Sequence, residues 1–471
     1  MELENESQNS TSSTSTETPE ATSLKPPQLQ PGDTGVSEKP PIDLEEFPEG
    51  GARAWAAVIG GFCLVFISQG AVYAFGVYQD YYTRVFLNEH NPSTIAWIGS
   101  MQLFLLFFLG LPVGKLFDEG YFNHLIGIGS VIYLFSYFML SLAQPHSFYQ
   151  VFLSQGVGVG LGMGMMYLPS VTLGFHYFKR RRGLAVGVAS TGAAFGGILQ
   201  TIGLNHLING RVGFAWGVRI FGFIFLALAI IGNLLMRPRL PPRRLRPDQP
   251  KPDVQKIIRD VPLLLAISGS ALLLFSAFFP YFYIQLFAIL HGISTNLAFY
   301  SITIINAMTI IGRVISGILA DRYGYVNSIL LSTLLMGVIS FLMIKATTAP
   351  GLIVFTILYG FFAGGYFSLA ASAISAYVDN TNELGFALGY TLFIESFFVL
   401  IAQPIAGTIV DAPRYRWNRA IIAVSIILYG GWFASETETD KVLEGVIYEE
   451  FGCHSRIGFL SKMTPWEKTI Q

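Results

Sequence analysis

Charge is scarce in this chain. Only 13% of its 471 residues are charged, while 52% are hydrophobic; a soluble protein carries about 25% charged residues. The net charge of −1 excludes the basic footprint of a nucleic-acid partner. Cysteine is nearly absent, with only Cys63 and Cys453. Cys63 lies in an apolar run, so there is no disulfide framework and no cysteine-based metal site. Paired His boxes, a Gly-x-Ser-x-Gly elbow and a Gly-x4-Gly-Lys-Ser/Thr phosphate loop are all missing. These absences speak against an enzyme and against an ATP-driven pump. No catalytic residue, metal ligand or cofactor is assigned. No basic stretch precedes an apolar core at the start, which argues against a signal peptide.

What is abundant is long apolar sequence. Twelve segments stand out, at roughly 54–79, 94–116, 122–143, 147–174, 183–207, 213–236, 261–290, 296–319, 326–346, 350–377, 384–410 and 417–434. Each is long enough to cross a hydrocarbon core of about 30 Å as a helix. The expected partner of this surface is the lipid bilayer. The expected domains are a disordered acidic Ser/Thr-rich tail over 1–46, a six-helix bundle over 47–236, a basic Pro-rich linker over 237–260, a second six-helix bundle over 261–434 and a polar tail over 435–471. The linker holds eight Lys and Arg residues. The run Lys179-Arg180-Arg181-Arg182, with Lys115 and Arg322, falls on the linker's side of the membrane. The other side holds fewer, at Arg84, Arg211, Lys345, Arg414 and Arg416. The richer side reads as cytoplasmic, which places both termini there. The glycosylation patterns at Asn5 and Asn9 should then stay unused.

The two halves carry related charged turns. Gly317-Ile318-Leu319-Ala320-Asp321-Arg322-Tyr323-Gly324 closes one apolar segment, and Gly114-Lys115-Leu116-Phe117-Asp118-Glu119-Gly120 closes another in the first half. Matching turns in two apolar halves suggest an internal duplication, with inner halves that move against each other. An Asp past the end of one helix can accept hydrogen bonds from the N-terminus of a neighbour, and an adjacent Arg or Lys can pair with acids of the other half. The gating residues are therefore read as Gly114, Lys115, Asp118, Gly317, Asp321, Arg322 and Gly324.

The Gly317–Gly324 turn resembles the signature turn of the major facilitator superfamily. Glu49-Gly50-Gly51-Ala52-Arg53-Ala54-Trp55, Tyr177-Phe178-Lys179-Arg180-Arg181-Arg182-Gly183-Leu184-Ala185-x-Gly187, Pro280-Tyr281-Phe282-Tyr283, and Asn306 with Gly312-Arg313 are similar to stretches of its monocarboxylate-porter branch, in the fungal form. The resemblance covers about 49–411. It implies an all-α integral membrane protein with 12 transmembrane helices in two six-helix bundles, working by alternating access. It also implies that Arg313 contacts an anionic group of the substrate. Elementary physics agrees on the need for an anion. An Arg within a membrane helix is costly, must face protein or water, and suits a carboxylate because it can hold both oxygens.

The chain departs from animal members of that branch at two positions. Thr309 stands where they have an Asp, and Tyr73 stands where they have a Lys. Both changes count against proton-coupled lactate transport. Glu395 offers a replacement, at a depth of roughly 15 Å by helical rise, close to that of Arg313. The expectation is that Glu395 pairs with Arg313 in an empty site, then takes a proton or yields to the substrate anion. Substrate contacts are expected from Arg313, Asn306, Tyr73, Tyr281, Tyr283 and Gln285, with Gln69, Gln102 and Tyr167 as further polar groups on cavity-lining helices. The small residues from Gly183 to Gly197, and from Gly156 to Gly164, read as close helix packing.

Three readings stay open. One is a secondary active transporter of a small organic anion or secondary metabolite, of the efflux type, with protons as a possible second partner. Another is a proton-coupled monocarboxylate or nutrient uptake permease. The last is a non-transporting sensor on a transporter fold. The plasma membrane is the expected location, with the vacuolar membrane as the alternative.

Overall fold

The structure, a computed structural model, describes residues 50–451 apart from 91, 209, 240–253, 379–383 and 411–415. The expected tail over 1–46, most of the basic linker, Arg414 and the last residues therefore lie outside the described residues. From Glu45 onward the chain forms one compact unit.

The described residues form helices joined by short turns and no strand, for a solvent reason. In lipid each backbone N–H and C=O must be satisfied within its own segment, which an uncharged run of this length achieves only as a helix. Among the described residues, eleven helices are long and apolar enough to cross a bilayer. They are α1 (Ala52–Phe86), α2 (Thr94–Asp118), α3 (Phe122–Leu140), α4 (Phe148–His176), α5 (Arg182–Ile208), α6 (Gly213–Leu235), α7 (Val261–Leu290), α8 (Thr295–Tyr323), α9 (Tyr325–Lys345), α10 (Ala349–Ile374) and α11 (Leu384–Val410). α12 (Trp417–Phe451) follows and packs on α7 and α9. It runs past residue 434, where a polar tail was expected to begin. The apolar stretch ends there, but no Pro follows before Phe451 and no Gly until Gly445. Loss of hydropathy alone does not stop a helix.

The fold is dressed for lipid. Val131 is 67% exposed and Leu234 is 65% exposed. Polar side chains such as Gln102, Gln155, Gln200 and Asn306 are buried. Breaks in the helices have local causes. α7 bends at Phe278, just before Pro280, which leaves Tyr281 near the middle of the molecule. α1 loosens at Ala74, directly after Tyr73.

The halves meet along two seams, α5 against α8 and α2 against α11. Both depend on glycine because backbone touches backbone. A Cβ on Gly317 would lie 2.6 Å from the Gly183 carbonyl oxygen, and one on Gly183 would lie 2.7 Å from that of Gly317. A Cβ on Gly187 would lie 2.8 Å from the Arg313 carbonyl oxygen. Across the second seam a Cβ on Gly114 would meet the Gly385 carbonyl oxygen, and one on Gly385 would meet the Asp118 carboxylate. Gly317→Val should leave membrane insertion intact but hold the α5–α8 seam apart, at an overpacking cost of about 1–3 kcal/mol. Flux should fall and labelling of an Ala371→Cys probe from the charged-turn face should rise; unchanged flux and labelling would refute the role given to this seam.

Candidate functional site

At the charged-turn face, each seam is held by a carboxylate on a helix N-terminus. Asp321, in the last turn of α8, accepts hydrogen bonds from the Gly183 N–H at Oδ1 (2.7 Å) and the Leu184 N–H at Oδ2 (2.9 Å). These are among the first N–H groups of α5, which have no partner within their own helix and carry the positive end of its dipole. The Tyr325 hydroxyl donates to the same carboxylate at 3.0 Å. Asp118, at the end of α2, accepts the Phe386 N–H of α11 at 2.9 Å. Gly324 ends α8 with a φ of +93°, a backbone that favours glycine. Lys115 and Arg322 do not play the part expected of them. Both are exposed and neither forms an ion pair among the described residues; Arg322 lies beside the Tyr323 ring. Among the described residues the aspartates hold the seams through backbone amides.

Deeper in, Arg313 of α8 is 1% exposed and reaches across to the first half. Its Nη1 donates to the Ser190 carbonyl of α5 at 2.7 Å, and its Nη2 donates to the Tyr73 hydroxyl of α1 at 3.0 Å. The guanidinium also lies 5.7 Å from the ring centre of Phe367. Its Nε has no partner. All these neighbours are neutral. The Tyr281 ring stands 5.3 Å from the Tyr73 ring, edge to face, and the Tyr281 hydroxyl bonds Thr309 at 3.0 Å. Tyr281 is thus tied to the position that carries an Asp in the animal porters. Asn306 is fully buried on α8, and both atoms of its amide lack partners.

Two expected contacts lie elsewhere. Tyr283 packs on Phe279 and on Trp417 of α12, away from Arg313. It is two residues from Tyr281, and an α-helix turns such a neighbour to a different face. Gln285 sits on the Tyr281 face, but one turn farther along α7, roughly 6 Å away.

Glu395 of α11 is 5% exposed and lines a cavity of about 70 Å3 between the halves. Gln69, Tyr167, Ser190, Thr391, Ser270 and Tyr366 also line it. The Ser270 hydroxyl donates to Glu395 Oε1. Among the described residues no ion pair joins Glu395 to Arg313. The expected pairing is thus absent from this conformation: Glu395 accepts from Ser270, and Arg313 donates to Tyr73 and Ser190. Ser270 and Tyr366 carry no sequence signal of their own. Ser270 lies among small residues, and Tyr366 is one of several aromatics in α10.

Residues 57–344 and 303–446 match the Major Facilitator Superfamily. The chain belongs to that superfamily. This facilitator is therefore a multi-pass membrane transporter and not an enzyme. It is similar to the aspyridones efflux protein of Emericella nidulans, at 38% identity over 392 residues, covering 83% of this chain and 79% of that one. It is also similar to the agnestins efflux protein of Paecilomyces divaricatus, at 33% over 408 residues, covering 87% and 91%. Such relatives group it with fungal efflux transporters and not specifically with monocarboxylate porters. A solved structure of the facilitator FucP in the outward conformation shares the fold, with a TM-score of 0.60 at 16% identity, covering 81% of this chain and 98% of that one.

The aspartate contacts should set how firmly the charged-turn face stays shut. Hydrogen bonds to a charged group are worth about 1.5–3 kcal/mol each. Asp321→Asn keeps the shape but removes the charge. It should raise the open population of this facilitator at least about tenfold, read as faster labelling of a Ser375→Cys probe. Equal labelling rates would show that Asp321 does not hold the seam.

Proposed function

We propose that this facilitator exports an acidic secondary metabolite from a fungal cell by alternating access, with a proton moving the other way. The charged-turn face is cytoplasmic in this reading, because Lys115, Arg322 and the Lys179–Arg182 run gather there. The observation that carries the proposal is Arg313, a fully buried cation at the junction of the halves with only neutral partners and a free Nε. Burying an uncompensated charge costs several kcal/mol. A substrate carboxylate, or a comparably acidic group, removes that cost by replacing the Tyr73 hydroxyl and the Ser190 carbonyl with a bidentate pair. The resemblance to monocarboxylate porters supports the same chemical class, and the names of the curated relatives support efflux.

The transport cycle follows from the two seams. The contacts at Asp118 and Asp321 part, and the substrate acid enters from the cytoplasm. It meets Arg313 among Tyr73, Tyr281 and Phe367. The seams then close behind it and the opposite mouth opens. Glu395 stays apart from Arg313 and can hold the exchanging proton without competing for the guanidinium.

Two experiments test this reading. Deleting the gene in the source organism should trap an acidic metabolite inside the cell and deplete it from the medium. Restoring the gene should reverse both changes, and an Arg313→Gln copy should leave export at least about 100-fold lower, as loss of a buried charge pair predicts. Full export by Arg313→Gln, or loss of uptake from the medium on deletion, would overturn the proposal. In vesicles, Glu395→Gln should still exchange labelled for unlabelled metabolite but no longer respond to a pH gradient. A gradient response equal to the wild type would remove Glu395 from coupling.

A further inference from the structure

A second cavity, of about 40 Å3, lies inside the C-terminal six helices between α7, α9 and α10. Its lining includes Ala266, Val326, Thr333 and Tyr377. Val326 is the second residue of α9, and Tyr377 comes just after α10 ends. The cavity therefore sits toward the charged-turn face. It is large enough for two or three waters at about 10–15 Å3 each. It shares Ser270, Tyr366, Ala370 and Ile374 with the central cavity that holds Glu395.

The two polar ones, Ser270 and Tyr366, are hydrogen-bonded to each other, and Ser270 alone is hydrogen-bonded to Glu395. The Ser270 hydroxyl donates to the Glu395 carboxylate. The Ser270 and Tyr366 hydroxyl oxygens are 3.4 Å apart, and the Tyr366 hydroxyl donates to the Ser270 carbonyl at 3.1 Å. The chain Glu395–Ser270–Tyr366 thus runs from one cavity to the other. It bypasses both seams, since none of its members touches Asp118, Asp321 or the helix ends they hold.

We infer that Ser270 and Tyr366 form a proton path between Glu395 and the charged-turn face, separate from the route of the substrate. This inference rests on the proposed proton exchange. In the step toward the charged-turn face, the protonated Glu395 gives its proton to Ser270 Oγ as the Ser270 hydroxyl proton moves to the Tyr366 oxygen. The Tyr366 hydroxyl, turned from the Ser270 carbonyl, passes its own proton to water in the second cavity. One proton crosses, each hydroxyl ends with one hydrogen, and both then rotate back. The path lets Glu395 discharge in a state closed at both mouths, before the seams part, which keeps proton and substrate from sharing one opening. The other groups that face Glu395 come from α4, α2 and α8. Tyr167 of α4 is within electrostatic range of both Glu395 and Arg313. α2 brings the rings of Phe104 and Phe108 against α11. Arg313 is engaged by Tyr73 and Ser190.

The test needs no substrate. Purified full-length protein in proteoliposomes, oriented with the charged-turn face outward, receives a pH jump in the external buffer. Time-resolved infrared spectroscopy follows the carboxylic-acid band of Glu395, identified by its loss in Glu395→Gln. Ser270→Ala and Tyr366→Phe should reach the same endpoint as the wild type but at least about tenfold more slowly, while Ser270→Thr, which keeps the hydroxyl, should stay within about twofold. Unchanged rates in Ser270→Ala and Tyr366→Phe would overturn the path and leave the proposed proton exchange standing. Ser270→Thr as slow as Ser270→Ala would show that packing, not the hydroxyl, matters, and would also overturn it. Absence of any Glu395 band change in the wild type would refute proton exchange at Glu395 and the path together.

Discussion

A fixed positive charge in a dry protein interior needs an anion, and Arg313 has none among the described residues. It lies at the junction of the two halves, where a phenol, a peptide carbonyl and an aromatic ring are its neighbours. Such partners soften the desolvation cost but leave the charge uncompensated. Its surroundings fit that need. The Tyr73 hydroxyl and the Ser190 carbonyl come from the first half and Phe367 from the second, so the guanidinium feels both. A ligand that neutralises it changes the balance of contacts across the same junction that must part and close.

That junction is made to separate. Its ends are tied by carboxylates on helix N-termini, strong in a shielded site but few in number. Along its length, glycines let backbone approach backbone, as at Gly183 and Gly317, and on the second seam the rings of Phe104 and Phe108 pack against Phe393 and Phe397. Contacts of this kind fit closely in one arrangement and release together. The pseudo-repeat places one aspartate from each half on a helix of the other, Asp118 on α11 and Asp321 on α5. The same device thus acts on both seams, and neither half needs a special part.

Much of this was legible in the sequence, for physical reasons. Lipid forces each span to be an uncharged helix, so the spans can be read from hydropathy. A charge inside such a span stands out, which is why Arg313 and Glu395 were visible. The charged turns were visible because they repeat. Partnerships were harder to read. Tyr281 and Tyr283 look alike in the sequence, but helical geometry sends one toward Tyr73 and the other toward Trp417. Lys115 and Arg322 looked like pairing cations, yet the aspartates bond backbone amides, which no side-chain pattern reveals. Ser270 and Tyr366 matter through their place between two cavities, a relation among α7, α10 and α11 that no local stretch encodes. The continuation of α12 was missed because a fall in hydropathy resembles the end of a helix.

The most direct measurement is the affinity of the purified protein for the exported metabolite as its free acid and as its methyl ester, in the wild type and in Arg313→Gln. The ester keeps the size and apolar surface of the acid but cannot pair with a guanidinium. A charge-assisted pair worth about 2–3 kcal/mol predicts that the wild type binds the acid roughly 30- to 150-fold more tightly than the ester, and that Arg313→Gln binds the two nearly alike. Equal affinity of the wild type for acid and ester would contradict the account, because Arg313 would then hold its charge for a purpose other than binding an anion.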